Sequence, residues 1–406
     1  MTSLAWEGRL IQYTFRVRGV IACALAFAAI HVEAKADEAF TAEIGGRVHW
    51  DFAQFDNDGR GIPNRNDSEI RRLWLDVSGR AFGFGYKVEA DFAGLQDDFG
   101  GKGIDAKDVY LSRRFGEAGT LTVGQFKQFF SLDDRTGSNY GQFLERGSAA
   151  ATLAPLYRKA IAWQAARETH SWAASVYSLK SIDNSRTQGE AIGGRATWAP
   201  VRDEGDELHL GISLAHERHD HPGQARAPAL AIRPRPAGHL SDNSRITLVR
   251  FAEGRDTDVS KWSLEYAQVR GPLSWQAEYG GGVFDDGAQH ATVQSVYAFA
   301  SWFVTGESRA YDRKTGRFTR IRSIRHPAGA FELALRHDRM WSEQHRDGGT
   351  ELIDASTASW TLGANWYLQP NLRVMLDVID SGNRDHLVDA TRDRTRAVTG
   401  RIHYDF

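Results

Sequence analysis

Beyond residue 40, apolar and polar side chains alternate with a period of two in segments of about ten residues, which predicts strands with one apolar and one polar face. Val48, Trp50 and Phe52 alternate with Arg47, His49 and Asp51, and Tyr86, Val88, Ala90 and Phe92 with Lys87, Glu89 and Asp91. The same pattern recurs at Trp275, Ala277 and Tyr279 and at Phe331, Leu333 and Leu335. The polar face is rich in charge. Alternation by itself fits a soluble sandwich, which buries its apolar face, as well as a membrane barrel, which turns that face to lipid.

Three further features favour the barrel. Aromatic residues gather at strand ends, as in Trp302-Phe303, Trp366-Tyr367 and Tyr404 to Phe406, where interfacial girdles lie. The pattern yields 16 candidate strands, an even number, and the chain stops on a strand. Connections mostly alternate between tight and long. Tight ones are expected at Gly79 to Gly83, Phe115 to Gly119, Glu168 to His170, Gly271-Pro272 and Gln369 to Asn371. Long ones are expected at Asp56 to Ser68, Ala93 to Asp105, Phe130 to Tyr157, His216 to Ser260, Gly280 to Thr292, Asp338 to Thr357 and Asp380 to Arg396. Gly306 to Pro327 breaks the rule, being long where a short turn is due. The fold class is therefore all-β, a 16-stranded antiparallel transmembrane β-barrel. In the last segment Val398, Gly400, Ile402, Tyr404 and Phe406 share one face. A terminal aromatic on such a strand resembles the signal read by the outer-membrane assembly machinery.

Composition narrows the alternatives. Hydrophobic residues make up 41% and aromatics 11%, with 12 Trp and 40 Gly, too aromatic for disorder and too polar for spanning helices. Residues 1–36 stand apart: Arg16 and Arg18 precede an apolar stretch from Gly19 to Ile30, and Ala34-Lys35-Ala36 forms an A-x-A cleavage pattern. This reads as a secretory signal peptide, with cleavage expected near Ala36 to leave 37–406 as the barrel. The one cysteine, Cys23, lies within it, so the mature chain has no disulfide, thiolate metal site or thiol nucleophile. Cleavage leaves 46 basic and 50 acidic side chains, a net charge of −4. No global cationic field exists to attract nucleic acid, and any anion recognition must be local.

No G-x-S-x-G elbow, Walker loop or H-E-x-x-H occurs, so no enzyme, metal or cofactor is expected. His216-Glu217-Arg218-His219-Asp220-His221 has no recognised ligand spacing and reads as a solvated loop. Asp56-Asn57-Asp58-Gly59 reads as a polar turn rather than a calcium loop. Arginine is the informative residue. Only nine of 50 basic residues are lysine, and arginines recur in close pairs whose planar forks suit phosphate or carboxylate. In Arg71 to Ser78, Leu73, Leu75 and Val77 define the lipid face and place Arg72, Trp74 and Asp76 inward. Strict alternation turns Arg71 outward, where a midplane charge costs about 2–4 kcal/mol, so a bulge or a strand-end position is expected. In Ile232-Arg233-Pro234-Arg235-Pro236 the prolines hold an extended backbone, either displaying both guanidinium groups in a pore or lying in a solvated loop.

These residues together resemble the phosphate-selective porins O and P of Gram-negative outer membranes. The resemblance runs from about Ile44 to Phe406, through Gly45-Gly46-Arg47, Arg71-Arg72, Asp91, Val123-Gly124-Gln125-Phe126, Phe130-Ser131-Leu132 and Glu145-Arg146. It continues through Ile232-Arg233-Pro234-Arg235, Thr305-Gly306-Glu307-Ser308-Arg309, Gly363-Ala364-Asn365-Trp366-Tyr367 and Tyr404-Asp405-Phe406. It implies a homotrimer in outer-membrane lipid, with loops near 130–157 and 217–244 folded into the lumen. It further implies an arginine ladder at Arg47, Arg71, Arg72, Arg233 and Arg235, with Asp91 as the acidic member of a central anion site and phosphate or pyrophosphate as the solute. The family's central lysine falls on Thr122, and the nearest lysine is Lys127. A general or carbohydrate-type diffusion porin on the same barrel is the first alternative, and an outer-membrane barrel enzyme the second.

Overall fold

The computed structural model describes residues 40–57, 63–96, 103–200, 205–224, 227–388 and 390–406. The expected signal peptide lies outside them. The chain divides into two units, Met1–Thr41 and Ala42–Phe406. Of the first, only Phe40 and Thr41 are described, at the opening of β1.

Sixteen strands form one closed antiparallel barrel. Its first half comprises β1 (Phe40–Asn57), β2 (Asp67–Ala81), β3 (Phe84–Asp91), β4 (Asp105–Arg114), β5 (Thr120–Lys127), β6 (Tyr157–Ala166), β7 (His170–Ser178), β8 (Gly189–Trp198) and β9 (Asp206–His219). A two-stranded hairpin follows, β10 (Leu230–Ile232) with β11 (Val249–Phe251), and then β12 (Thr257–Arg270), β13 (Leu273–Asp285) and β14 (Gln289–Phe303). A second hairpin, β15 (Ala310–Asp312) with β16 (Arg317–Thr319), precedes β17 (Ala330–Arg346), β18 (Thr350–Gln369), β19 (Leu372–Asp385) and β20 (Ala390–Asp405). β20 pairs with β1 from Arg47↔Asp405 to Asn57↔Thr395, and Phe406 and Gly46 exchange backbone hydrogen bonds at 3.1 Å, so the final residue helps close the wall.

Burial is inverted relative to a soluble protein. Trp360 and Leu362 are each 54% exposed, whereas Arg401 is 0% and Asp377 2% exposed. The period-2 pattern thus puts apolar groups where hydrocarbon needs no hydrogen bonds and sends charge into the bore. At the tight-turn end Phe331 stacks on Trp366 with ring centroids 5.7 Å apart, and Tyr404 lies 6.0 Å from Phe406. Gly124 has φ +138°, and a Cβ there would stand 2.3 Å from the Val109 carbonyl oxygen. Glycine is what lets β4 and β5 pair closely at that position.

Each expected tight turn lies between paired strands, but three expected long loops do not occur. β13 continues to Asp285 before β14 starts at Gln289, β17 and β18 are joined by 347–349, and β19 and β20 by 386–389. A spanning strand needs only about 9–11 residues, yet β18 has 20 and β17 has 17. Above the hydrocarbon both faces meet polar surroundings, so the apolar alternation stops while backbone pairing continues. For the same reason residues 216–219 belong to β9 rather than a loop, and alternation splits them. His216 and Arg218 are exposed, whereas Glu217 and His219 are buried with Lys261 and Tyr177.

Candidate functional site

What occupies the bore decides what can pass. Residues 128–156, between β5 and β6, leave the wall and carry two short helices, α1 (Leu132–Arg135) and α2 (Ser148–Thr152). Their backbone is tied to the inner face of the opposite wall. Glu278 accepts from the N–H of Leu132 at 3.2 Å and of Asp133 at 2.6 Å, Asp377 from Leu144 at 2.8 Å, and Asp338 from Ser148 at 2.6 Å. Arg336 and Arg401 donate to the carbonyls of Glu145 and Leu144 at 3.0 and 2.6 Å. The loop thus spans the bore, and the side toward β1–β6 stays open.

Residues 220–256 add a second obstruction. Ile232, Leu248, Val249 and Phe251 are buried against Val293, Met340 and Ala355 of the inner wall. The connection 304–329, where a short turn was due, forms a strap at the opposite mouth. Its Tyr311 hydroxyl bonds His209 at 2.5 Å, its Gly316 carbonyl accepts from Arg195 at 2.7 Å, and its Arg313 pairs with Glu207 at 2.7 Å. Arg320 then pairs with Asp405. The length has a physical reason: Tyr311, Phe318 and Ile321 are apolar side chains that only the barrel interior buries.

Between these obstructions and the β1–β6 wall runs a cavity of about 620 Å³, lined among the described residues by twelve arginines and lysines against five aspartates and glutamates. A chain whose overall charge is negative therefore presents a strongly cationic passage. All seven candidate residues, Arg47, Arg71, Arg72, Asp91, Lys127, Arg233 and Arg235, line it.

Their individual surroundings differ. Arg47 lies over the Trp74 ring at 4.3 Å, 3.6 Å from Glu89 and 3.3 Å from Ser138 of the crossing loop. Arg71 faces the cavity. It lies inside β2, which starts at Asp67, so it is not at a strand end as one alternative expected; it stands just outside the stretch from Trp74 to Ala81 that pairs with β3. Its fork binds Glu145 at 3.0 and 3.1 Å. Arg72 bonds His49 at 3.3 Å and stands 3.9 Å from Glu145. Asp91 touches none of the expected arginines. One oxygen accepts from the N–H groups of Leu73 and Ala93 at 3.2 and 3.0 Å, and the other faces Lys107 at 3.7 Å. Lys127 pairs with Asp134 at 2.7 Å. Arg235 is tied to Asp242 at 2.7 Å, whereas Arg233 is exposed and forms no ion pair among the described residues. The two loop arginines are thus not equivalent.

Glu145 is the residue that sequence reasoning missed. It stood in the Glu145-Arg146 motif without a role, yet it gathers Arg71, Arg72 and Arg401, the last at 2.8 Å. Burial opposes its ionisation, but these three guanidinium groups outweigh burial and hold its carboxyl well below the usual carboxylate range. Arg401 was legible by parity, since it alternates with outward Gly400 and Ile402. Arg146 donates to the carbonyls of Asp133 and Thr136 at 2.9 Å, and Arg135 to those of Lys127 and Gln128 at 2.7 and 3.2 Å, so neither is tightly neutralised. Arg317 of the strap completes the lining at the far mouth. Among the described residues no cluster of His, Cys, Asp and Glu is placed to hold a metal ion.

Comparison with known proteins places this geometry in context. The sequence model of a family described as phosphate-selective porin O and P matches residues 42–406. Porin O of Pseudomonas aeruginosa is 27% identical over 372 residues, covering 84% of this chain and 83% of its own. Among solved structures, an anion-selective porin from Comamonas acidovorans superposes with a TM-score of 0.57 at 13% identity, covering 90% of this chain and all of its own. OmpT of Vibrio cholerae, in its trimer form, gives 0.56 at 12% identity, covering 91% of this chain and all of its own. At such identities the structural likeness speaks for the fold.

Proposed function

The chain belongs to the family of phosphate-selective porins O and P, and from that membership we propose that its bore passes small anions by diffusion, with phosphate or pyrophosphate preferred. The protein is an outer-membrane channel. The observation that carries the preference is the excess of guanidinium and ammonium groups along one passage, twelve against five carboxylates. No bond is made or broken. A dehydrating anion exchanges water for arginine forks at several modest sites in series, so that it can also leave.

The order of those sites follows from their partners. Arg233 offers a guanidinium without an ion pair among the described residues at the mouth formed by 220–256, Arg146 and Arg135 offer partly engaged ones along the crossing loop, and Arg317 offers one at the strap. Arg71 and Arg72 form a site already holding a carboxylate. The outward apolar band meets lipid, Phe406 is the residue the assembly machinery reads, and three copies assemble, as OmpT of Vibrio cholerae does in its trimer form.

Titration of phosphate into a single-channel chloride current tests this reading. Phosphate should block the current reversibly, and Arg233→Gln should raise the half-blocking concentration by roughly threefold, the equivalent of about 0.7 kcal/mol. Current that ignores phosphate at every concentration would instead fit the general diffusion porin.

A further inference from the structure

On the other side of residues 137–146 from the conducting cavity lies a second, small chamber of about 20 Å³, enough for one water-sized or monatomic occupant. Four arginines border it, Arg72, Arg146, Arg309 and Arg336, against two carboxylates. Both carboxylates are already engaged. Asp133 accepts from the Gly147 N–H at 2.8 Å, and Glu145 holds Arg71 and Arg401. Arg72 and Arg146 also face the conducting cavity, whereas Arg309 and Arg336 do not; Arg336 also lines a neighbouring hollow with Asp338 and Asp377.

Arg309, on the strap, is 5% exposed. Its guanidinium plane rests 3.5 Å from the Phe318 ring, and its Nη2 donates to Gln276 at 3.2 Å, but Nε and Nη1 have no acceptor among the described residues. Arg336 of β17 is 8% exposed; it lies 4.4 Å over Phe143 and donates from Nη1 to the Glu145 carbonyl, while its Nε likewise has no acceptor. The hydroxyl of Thr136, on the crossing loop, is buried and unpaired beside them. An aromatic face attracts a cation but satisfies none of its in-plane N–H groups. Leaving such donors buried is costly. Glu332 lies within electrostatic reach of Arg309, and Asp338 and Asp377 of Arg336, so part of this charge is already offset. A neutral water could accept from the free donors, whereas a monatomic anion accepts from several directions at once and offsets the remaining charge as well.

We propose that this chamber is a fixed site for one halide-sized inorganic anion, which bridges Arg309 of the strap and Arg336 of β17 and so pins the crossing loop to the strap away from the conduction path. The inference does not depend on which solute the bore prefers.

Bromide is the probe. Crystals of the full barrel grown in bromide should show an anomalous peak within contact distance of both Arg309 and Arg336, and Arg309→Gln crystals should lose it. A wild-type map without bromide there overturns the proposal. In detergent solution at equal ionic strength, the wild type should melt at a higher temperature in chloride than in gluconate, which is too large for the chamber, and Arg309→Gln should lose at least half of that increment. No chloride-specific increment in the wild type, or its full retention in the variant, overturns the proposal. Should Arg309→Gln fail to fold, Arg336→Gln takes its place, and the wild-type bromide map stands by itself. Phosphate block in Arg309→Gln should stay within twofold of wild type, which separates this site from the conducting one.

Discussion

Replacing Glu145 by Gln should deepen phosphate block, lowering the half-blocking phosphate concentration by roughly tenfold, or about 1.4 kcal/mol. Glu145 acts as a tethered anion already seated among guanidinium groups, binding Arg71 at 3.0 and 3.1 Å and Arg401 at 2.8 Å, with Arg72 at 3.9 Å. Arg401 is satisfied independently, because Asp51 grips it at 2.6 and 2.7 Å. Arg71 and Arg72 are therefore the groups released. At close range in a partly buried site, one unit of charge is worth a few kcal/mol before hydration is restored, so a tenfold change is a conservative expectation. The crossing loop should stay in place, since Asp377 and Arg401 hold it through the backbone of Leu144. The measurement is phosphate titration of single-channel chloride current in wild type and Glu145→Gln. Equal half-blocking concentrations would mean that anions do not visit Arg71 and Arg72. The expected deepening would mean that native Glu145 trades affinity for release; Asp91, expected as the acidic member of the central anion site, instead caps the end of β3 and faces Lys107.

Arg401→Met should be the most damaging single substitution in the wall, costing about 3–5 kcal/mol, as when one partner of a buried ion pair is removed. Arg401 is fully buried on β20 and holds three groups: Asp51 on β1 and, on the crossing loop, the Glu145 carboxylate and the Leu144 carbonyl. Methionine fills comparable space and satisfies none of these. Asp51, itself 5% exposed, would be left as a buried charge without its partner. The loss should appear as a lower denaturant midpoint for the folded barrel in detergent, with larger and noisier conductance as the crossing loop loosens. Adding Asp51→Leu should recover part of the stability, because the stranded carboxylate goes with it. A cost below about 1 kcal/mol for Arg401→Met would show that water or rearrangement replaces the guanidinium, contrary to its present burial.

The wall was legible because the bilayer imposes a local rule. Alternation at Val48 to Phe52 or Leu333 to Leu335 states directly which side meets hydrocarbon, and parity then sends Arg47, Arg72 and Arg401 inward. Where that rule lapses, reading fails. The upper parts of β13, β14 and β17 to β20 pair through their backbones in polar surroundings, so no hydropathy signal distinguishes them from loops. The strap was visible only as an unexplained length between Gly306 and Pro327, although its buried aromatics, Tyr311 and Phe318, were a usable clue. The contacts that position the site are remote in sequence, such as Glu278 with Leu132 or Asp377 with Leu144, and nothing local encodes them. Glu145 is the sharpest case. A lone glutamate in a loop carries no pattern, and its role exists only once the loop has crossed the bore to Arg71 and Arg401.

The sign of the zero-current potential across a planar bilayer separating unequal potassium chloride solutions reads the charge of the passage without any mutation. A passage lined, among the described residues, by twelve cationic side chains and five carboxylates should favour chloride and give the potential of an anion-selective channel at low and moderate salt, weakening as salt screens the lining. A potential of the opposite sign, with potassium passing in preference to chloride, would contradict it.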